Sequence, residues 1–139
     1  MQILIAQDNL IDRKYLMALL APFGDCDIAV DGREAVDAFR AMMETGQSYN
    51  LVCLDVAIPR IGGMEVLAEI RKIELEQNII DIDRVKVLIT GTAEDRKSIR
   101  RSFNATCESY LTKPIKKHKF YSKLEKLNLL SADTVSQRD

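Results

Sequence analysis

Five short apolar runs recur along this chain, and each is followed by a segment whose apolar residues repeat at helical spacing. The runs cover 3–6, 26–30, 51–54, 85–89 and 107–111. Ile3-Leu4-Ile5-Ala6 and Leu51-Val52-Cys53-Leu54 contain no polar alternation. That pattern belongs to strands buried on both faces, an environment a parallel sheet covered by helices provides. The helical segments carry Leu16, Leu19 and Leu20 with Tyr15; then Val36, Phe39 and Met43; Leu67 and Ile70; Ile99 and Phe103; and finally Phe120, Leu124 and Leu127. Pro22 and Gly24 close the first helix, and Asp31 caps the second with Glu34 three residues on. The acidic stretch 74–83 reads as a lengthened connection. Strands alternating with helices require right-handed crossovers, so the expected architecture is a doubly wound α/β domain with helices on both faces of a five-stranded parallel sheet. No internal repeat or second core interrupts it. Residues 1–130 are expected to form the domain and 131–139 a flexible tail.

The 139 residues suit one domain, which at this size buries roughly 68–70% of its unfolded surface and needs no staples. No apolar run approaches the roughly 20 residues of a membrane helix, and the N-terminus has no secretory pattern, so a cytoplasmic location without membrane insertion is expected. Cys26, Cys53 and Cys107 are an odd number without C-x-x-C spacing, which reads as reduced thiols within strands. His118, the only histidine, lies in a solvated lysine run. Charge is polarised: residues 1–83 hold 7 Lys/Arg against 15 Asp/Glu, and residues 84–139 hold 13 against 6. The basic part includes Arg96, Lys97, Arg100 and Arg101 on the fourth helix and Lys116, Lys117, Lys119, Lys123 and Lys126 around the fifth. Two readings stand for it: a solvated helix face, or a partner face that prefers an acidic target. A nucleic-acid role is not expected, because no DNA-reading module follows and the net charge is −1.

Functional groups of open α/β sheets gather beyond the carboxyl ends of the strands. Asp8 stands at the end of the first run, Asp55 of the third, Thr90 of the fourth and Lys113 of the fifth. Taken alone, Asp8 is equally a helix N-cap, Thr90 a strand former and Lys113 a solvated charge. Asp55 is harder to read as a cap, since Pro59, Gly62 and Gly63 separate it from the next helix. Two carboxylates converging at one rim repel unless a cation joins them, and a hard ion such as Mg²⁺ suits oxygen donors of this kind.

The residues that carry this pattern resemble the receiver domains of two-component response regulators, of the single-domain, CheY-like type. The resemblance spans roughly residues 1–127 and rests on Ile3-Leu4-Ile5-Ala6-Gln7-Asp8-Asn9, Leu54-Asp55-Val56-Ala57-Ile58-Pro59, Gly62-Gly63, Ile89-Thr90 and Tyr110-Leu111-Thr112-Lys113-Pro114. It implies a flavodoxin-like (βα)5 fold with strand order 2-1-3-4-5. It also implies a phosphoacceptor signalling protein, not an enzyme acting on a metabolite. Asp55 would be the nucleophile that takes a phosphoryl group from a sensor histidine kinase or histidine phosphotransferase. Asp8, Asp55 and the backbone carbonyl of Ala57 would hold Mg²⁺, Lys113 would pair with the phosphoryl group, and Thr90 would bond one of its oxygens. Thr90 and Tyr110 would form the switch that alters the face of the fourth helix, fifth strand and fifth helix for a separate downstream protein. Lys113-Pro114 would be a cis peptide.

Three departures stand out. The family has two consecutive acids after the first strand, and here the first is Gln7, which reaches the metal only through water and brings no charge. Gly91 replaces the family's common Ala after the hydroxyl residue, and Thr106 stands where Gly is frequent. Gln7 raises the alternative of a phosphorylation-independent pseudo-receiver, an interaction module with the same fold. A flavin carrier of similar topology is disfavoured, because the loop Gln7-Asp8-Asn9-Leu10-Ile11-Asp12 has no glycine and presents carboxylates to any phosphate. The missing charge at Gln7 corresponds to roughly 1–2 kcal/mol of screened attraction. Gln7→Asp is therefore expected to tighten Mg²⁺ binding by about tenfold, read by calorimetric titration.

Overall fold

Backbone hydrogen bonds order the expected runs into one sheet. The computed structural model describes residues 1–102 and 107–130; Phe103, Thr106, the tail at 131–139 and the side chains of Arg100 and Arg101 lie outside the described residues. The elements run β1 Gln2–Ala6, α1 Leu10–Leu20, β2 Asp25–Ala29, α2 Gly32–Glu44, β3 Leu51–Asp55, α3 Gly63–Glu76, β4 Lys86–Gly91, α4 Ala93–Ser102, β5 Ser109–Thr112 and α5 Lys117–Lys126. Strands lie in the order β2-β1-β3-β4-β5, and every pairing is parallel. This is the doubly wound, flavodoxin-like arrangement.

Side chains alternate between the two faces of a strand. Leu4, Ala6, Val52, Leu54, Val87 and Ile89 pack in one layer with Phe39 of α2 and with Val66, Leu67 and Ile70 of α3. Ile3, Ile5, Leu51, Cys53, Leu88 and Leu111 pack in the other, against Leu16, Leu19 and Leu20 of α1 and Phe120, Tyr121 and Leu124 of α5. Both faces are thus covered, as the continuous apolar runs require.

Helix starts follow local chemistry. Asn9, rather than Asp8, caps α1: its Oδ1 accepts the Asp12 amide at 3.0 Å. Asp31 caps α2 by accepting the Glu34 amide at 2.8 Å, and the Glu34 carboxylate returns to the Val30 amide.

The departures from expectation have physical causes. The acidic stretch 74–83 does not begin as a connection, because α3 continues to Glu76. Glu74 is turned inward and is 2% exposed. Its carboxylate accepts from Arg71 at 2.8 Å and from the Val85 amide at 2.7 Å. Arg71 also donates to both oxygens of Glu108, each at 3.0 Å, and Glu108 accepts the Val87 amide at 2.7 Å. Glu108 is thereby held ahead of β5, so the strand opens at Ser109, and Cys107 is a half-buried thiol outside it. Cys26 is half-buried in β2 and Cys53 buried in β3; all three are free thiols. Tyr15 faces solvent instead of the core.

Removing one member of a buried charged network strands the others in low dielectric, at a cost of about 3–5 kcal/mol. Glu74→Ala, which also leaves the Val85 amide without this acceptor, is expected to lower unfolding stability by that amount in urea titration.

Candidate functional site

The site is the polar continuation of one core layer. Asp55 follows Cys53 on the same side of β3, Thr90 follows Leu88, and Lys113 continues the side of Leu111. Asp55 and Thr90 are register partners across the β3–β4 pair. Gln7 continues the side of Ile5, one residue past the Ala6–Leu54 pairing. Where apolar side chains stop, these polar ones stand in a row at the carboxyl edge.

Asp55 is 4% exposed, and both of its carboxylate oxygens have partners. Oδ1 accepts the Ala57 amide at 3.2 Å, and Oδ2 accepts from Lys113 Nζ at 2.9 Å. Burying an ion is costly unless it is paired and hydrogen-bonded, and this pairing meets that need. The Lys113 amide donates to the Gly91 carbonyl at 2.7 Å, which ties its backbone to the end of β4; the Lys113-Pro114 peptide is cis. Burial by itself lowers the pKa of the Lys113 ammonium, but the hydrogen bonds and charges of Asp55 and then Asp12 outweigh it and hold the pKa above its ordinary value. Lys113 therefore stays cationic across the neutral range.

Asp12 is the contact that the sequence did not signal. Its Oδ2 lies 3.1 Å from Lys113 Nζ, so the ammonium bridges two carboxylates. Asp12 sits in the first turn of α1, a position that by spacing alone reads as ordinary N-terminal acidity.

Gln7 is fully buried and donates through Nε2 to Thr90 Oγ1 at 2.8 Å. Its Oε1 is buried without a hydrogen-bond partner. Asp8 is exposed at the mouth of the cleft, with Arg13 donating to its carbonyl and to that of Gln7. Ala57 is also exposed, beyond the end of β3. The donors available to a cation are thus carboxylates of Asp8 and Asp55, a peptide carbonyl and an unsatisfied amide oxygen. An all-oxygen set suits a hard ion. Among the described residues no three of His, Cys, Asp and Glu close in on one point. Such an open arrangement fits Mg²⁺, which keeps several waters and takes only one or two carboxylates.

The loop beyond Asp55 is tightly tied down. A Cβ on Gly63 would lie 2.7 Å from the Asp55 carbonyl oxygen and from Val56 Cα, so only glycine lets α3 start against the end of β3. On the other flank Tyr110 donates to the Thr92 carbonyl at 2.8 Å, with the Arg96 guanidinium 5.8 Å from its ring centroid. A Cβ on Gly91 would collide with the Tyr110 hydroxyl and approach Val56 Cγ1 to 2.7 Å. Gly91 thus creates the seat that Tyr110 occupies.

A family model described as the response regulator receiver domain matches residues 3–125, and the chain belongs to that family, the receiver domains of two-component signalling. It is 32% identical over 120 residues to the probable methanogenesis regulatory protein FilR2 of Methanothrix harundinacea, an alignment covering 81% of this chain and 72% of that protein. It is 26% identical over 121 residues to the osmosensing histidine protein kinase SLN1 of Saccharomyces cerevisiae, covering 85% of this chain but only 9% of the kinase. Among solved structures, the response regulator protein TrrA of Thermotoga maritima in complex with Mg²⁺ and BeF superposes with a TM-score of 0.69. That match has 26% identity and covers 91% of this chain and 97% of TrrA.

Burial, then the charges of Asp95 and Asp55, push the Tyr110 phenol up to about 12, against a smaller opposing effect of Arg96. Its neutral form is favoured by folding, so that contribution is complete below the ordinary phenol value and is lost as pH rises through about 12. Gly91→Ala is expected to expel the ring and bring this titration down toward about 10, measured as phenolate absorbance against a Tyr110→Phe control.

Proposed function

We propose that the chain accepts a phosphoryl group on Asp55 from a histidine kinase or histidine phosphotransferase, in a Mg²⁺-dependent reaction. The observation that carries this reading is the Asp55–Lys113 contact at 2.9 Å beside the Thr90 hydroxyl. An Asp55 carboxylate oxygen attacks phosphorus, the P–N bond to the donor imidazole breaks, and the released ring nitrogen keeps the electron pair and takes up a proton. Phosphoryl transfer is assisted chiefly by positioning and charge neutralisation. Lys113 meets the equatorial oxygens as a fixed cation, and Thr90 offers its hydroxyl proton, since its oxygen already accepts from Gln7. Asp8, Asp55 and the Ala57 carbonyl would hold Mg²⁺, with Gln7 Oε1 available to one of its waters. When bound, the ion neutralises charge on the transferring group.

The switch is read onto Thr90, Tyr110 and the face of α4, β5 and α5. Tyr110 supports this reading for two of these elements, since it lies on β5 and bonds the residue that precedes α4. Lys116, Lys117, Lys119 and Lys126 are exposed around α5, with Arg96 and Lys97 exposed on α4, which favours an acidic protein target. The likeness to a histidine kinase over 85% of this chain supports a phosphorelay partner. Among the described residues no helix is long and apolar enough to cross a membrane. The pseudo-receiver alternative has less support, because the acid, hydroxyl and ammonium stand together around Asp55.

Incubation with Mg²⁺ and acetyl phosphate is expected to add one phosphoryl group by mass spectrometry. Asp55→Asn should abolish it, and chelation of Mg²⁺ should suppress it. A folded wild-type protein that gains no mass at saturating Mg²⁺ would make the pseudo-receiver the better reading.

A further inference from the structure

The cleft contains one more acid than the resemblance accounts for. Lys113 divides its ammonium between Asp55 Oδ2 and Asp12 Oδ2, at 2.9 and 3.1 Å. The Asp12 side chain is 30% exposed, so the pair is shielded but reachable by solvent ions. Its backbone is fixed by the cap, because its amide is the one bonded to Asn9 Oδ1. Asp12 is itself not a cap, so its carboxylate is not committed to the helix start. The residue that would bring the matching charge at the end of β1 is Gln7, which is neutral, buried and left with an unpartnered oxygen.

We propose that Asp12 is a positioning residue of the phosphoacceptor site, holding Lys113 between two carboxylates and supplying the negative charge that Gln7 lacks. The inference rests on the Mg²⁺-dependent reading of Asp55. With Asp12, the groups Asp8, Asp12, Asp55 and Lys113 carry two net negative charges, which a divalent ion neutralises. Without it they carry one, and the ammonium is left to Asp55 alone. Both consequences weaken cation binding: the field is less negative, and the incoming ion must compete with a tighter Lys113–Asp55 pair. Asp12 acts through Lys113 and through its charge, not as a ligand, in keeping with the absence among the described residues of a three-acid cluster able to enclose an ion.

The test is Mg²⁺ titration followed by amide NMR shifts of Ala57 and Thr90 and by calorimetry. Asp12→Asn is expected to raise the Mg²⁺ Kd by about tenfold, the size of one screened charge interaction, with unchanged helical circular dichroism. Gln7→Asp combined with Asp12→Asn should bring the Kd back toward wild type, and Asp12→Glu, which leaves the buried Gln7 intact, should stay close to it. Phosphoryl uptake by Asp12→Asn should recover when Mg²⁺ is raised to saturation. An Asp12→Asn protein that titrates like wild type overturns the inference and leaves the Asp55 reading standing. So does a folded double variant that fails to recover. A wild-type protein whose amides ignore Mg²⁺ removes the metal reading and this inference with it. Mg²⁺ binding that depends on Asp12, in a protein that gains no phosphoryl group, would keep Asp12 as a positioning residue of a metal site and overturn its place in a phosphoacceptor site.

Discussion

The ion pair between Asp55 and Lys113 is the contact on which the functional end of this molecule depends. A carboxylate at the edge of an apolar layer loses most of its hydration, and such a charge is tolerated only with a partner and hydrogen bonds. Lys113 and the Ala57 amide supply them. Because β3 and β5 are not neighbours, the pair also spans β4, so the register of three strands must hold for the two groups to meet. The apolar layer beneath, with Cys53, Leu88 and Leu111, keeps that register by burying one face of each strand. Packing and chemistry therefore share one set of strands, with the residue type changing at the rim.

The opposite end of the sheet solves a different problem with similar groups. Where β4 begins, Glu74 and Glu108 accept the Val85 and Val87 amides and Arg71 donates to the Val85 carbonyl, and the three tie α3 to the approach of β5. Every oxygen and amide named there is engaged with another protein group. At the functional rim the satisfaction is incomplete: Gln7 Oε1 is unpartnered, and Asp8 faces water. Groups left open in this way can take up an ion without first breaking a closed network.

Glycine decides how the two flanks of Asp55 are built. Gly63 admits the start of α3 against the end of β3, and Gly91 admits the Tyr110 ring beside Val56. The first is a fixed close approach of backbone to backbone. The second is a packing contact with a side chain, and Tyr110 in that seat donates to the Thr92 carbonyl just ahead of α4.

Much of the fold could be read from the order of residues alone, because continuous short apolar runs and helical stripes of period near three and a half are local properties. The strand order came through resemblance, and the positions of Asp55, Thr90 and Lys113 at strand ends came from the same local boundaries. What the chain order could not decide was pairing between distant side chains. Glu74 reads as one more acid in a polar stretch, yet α3 turns it inward onto Arg71 and Val85. Asp12 reads as helix-start acidity, yet the fold carries Lys113 to it from about a hundred residues away in the chain. Gln7 reads as a lost charge, and only the packing shows its amide turned onto Thr90. The reason is common to all three: local pattern sets which face a residue occupies, whereas the partner across that face is chosen by how separate elements pack.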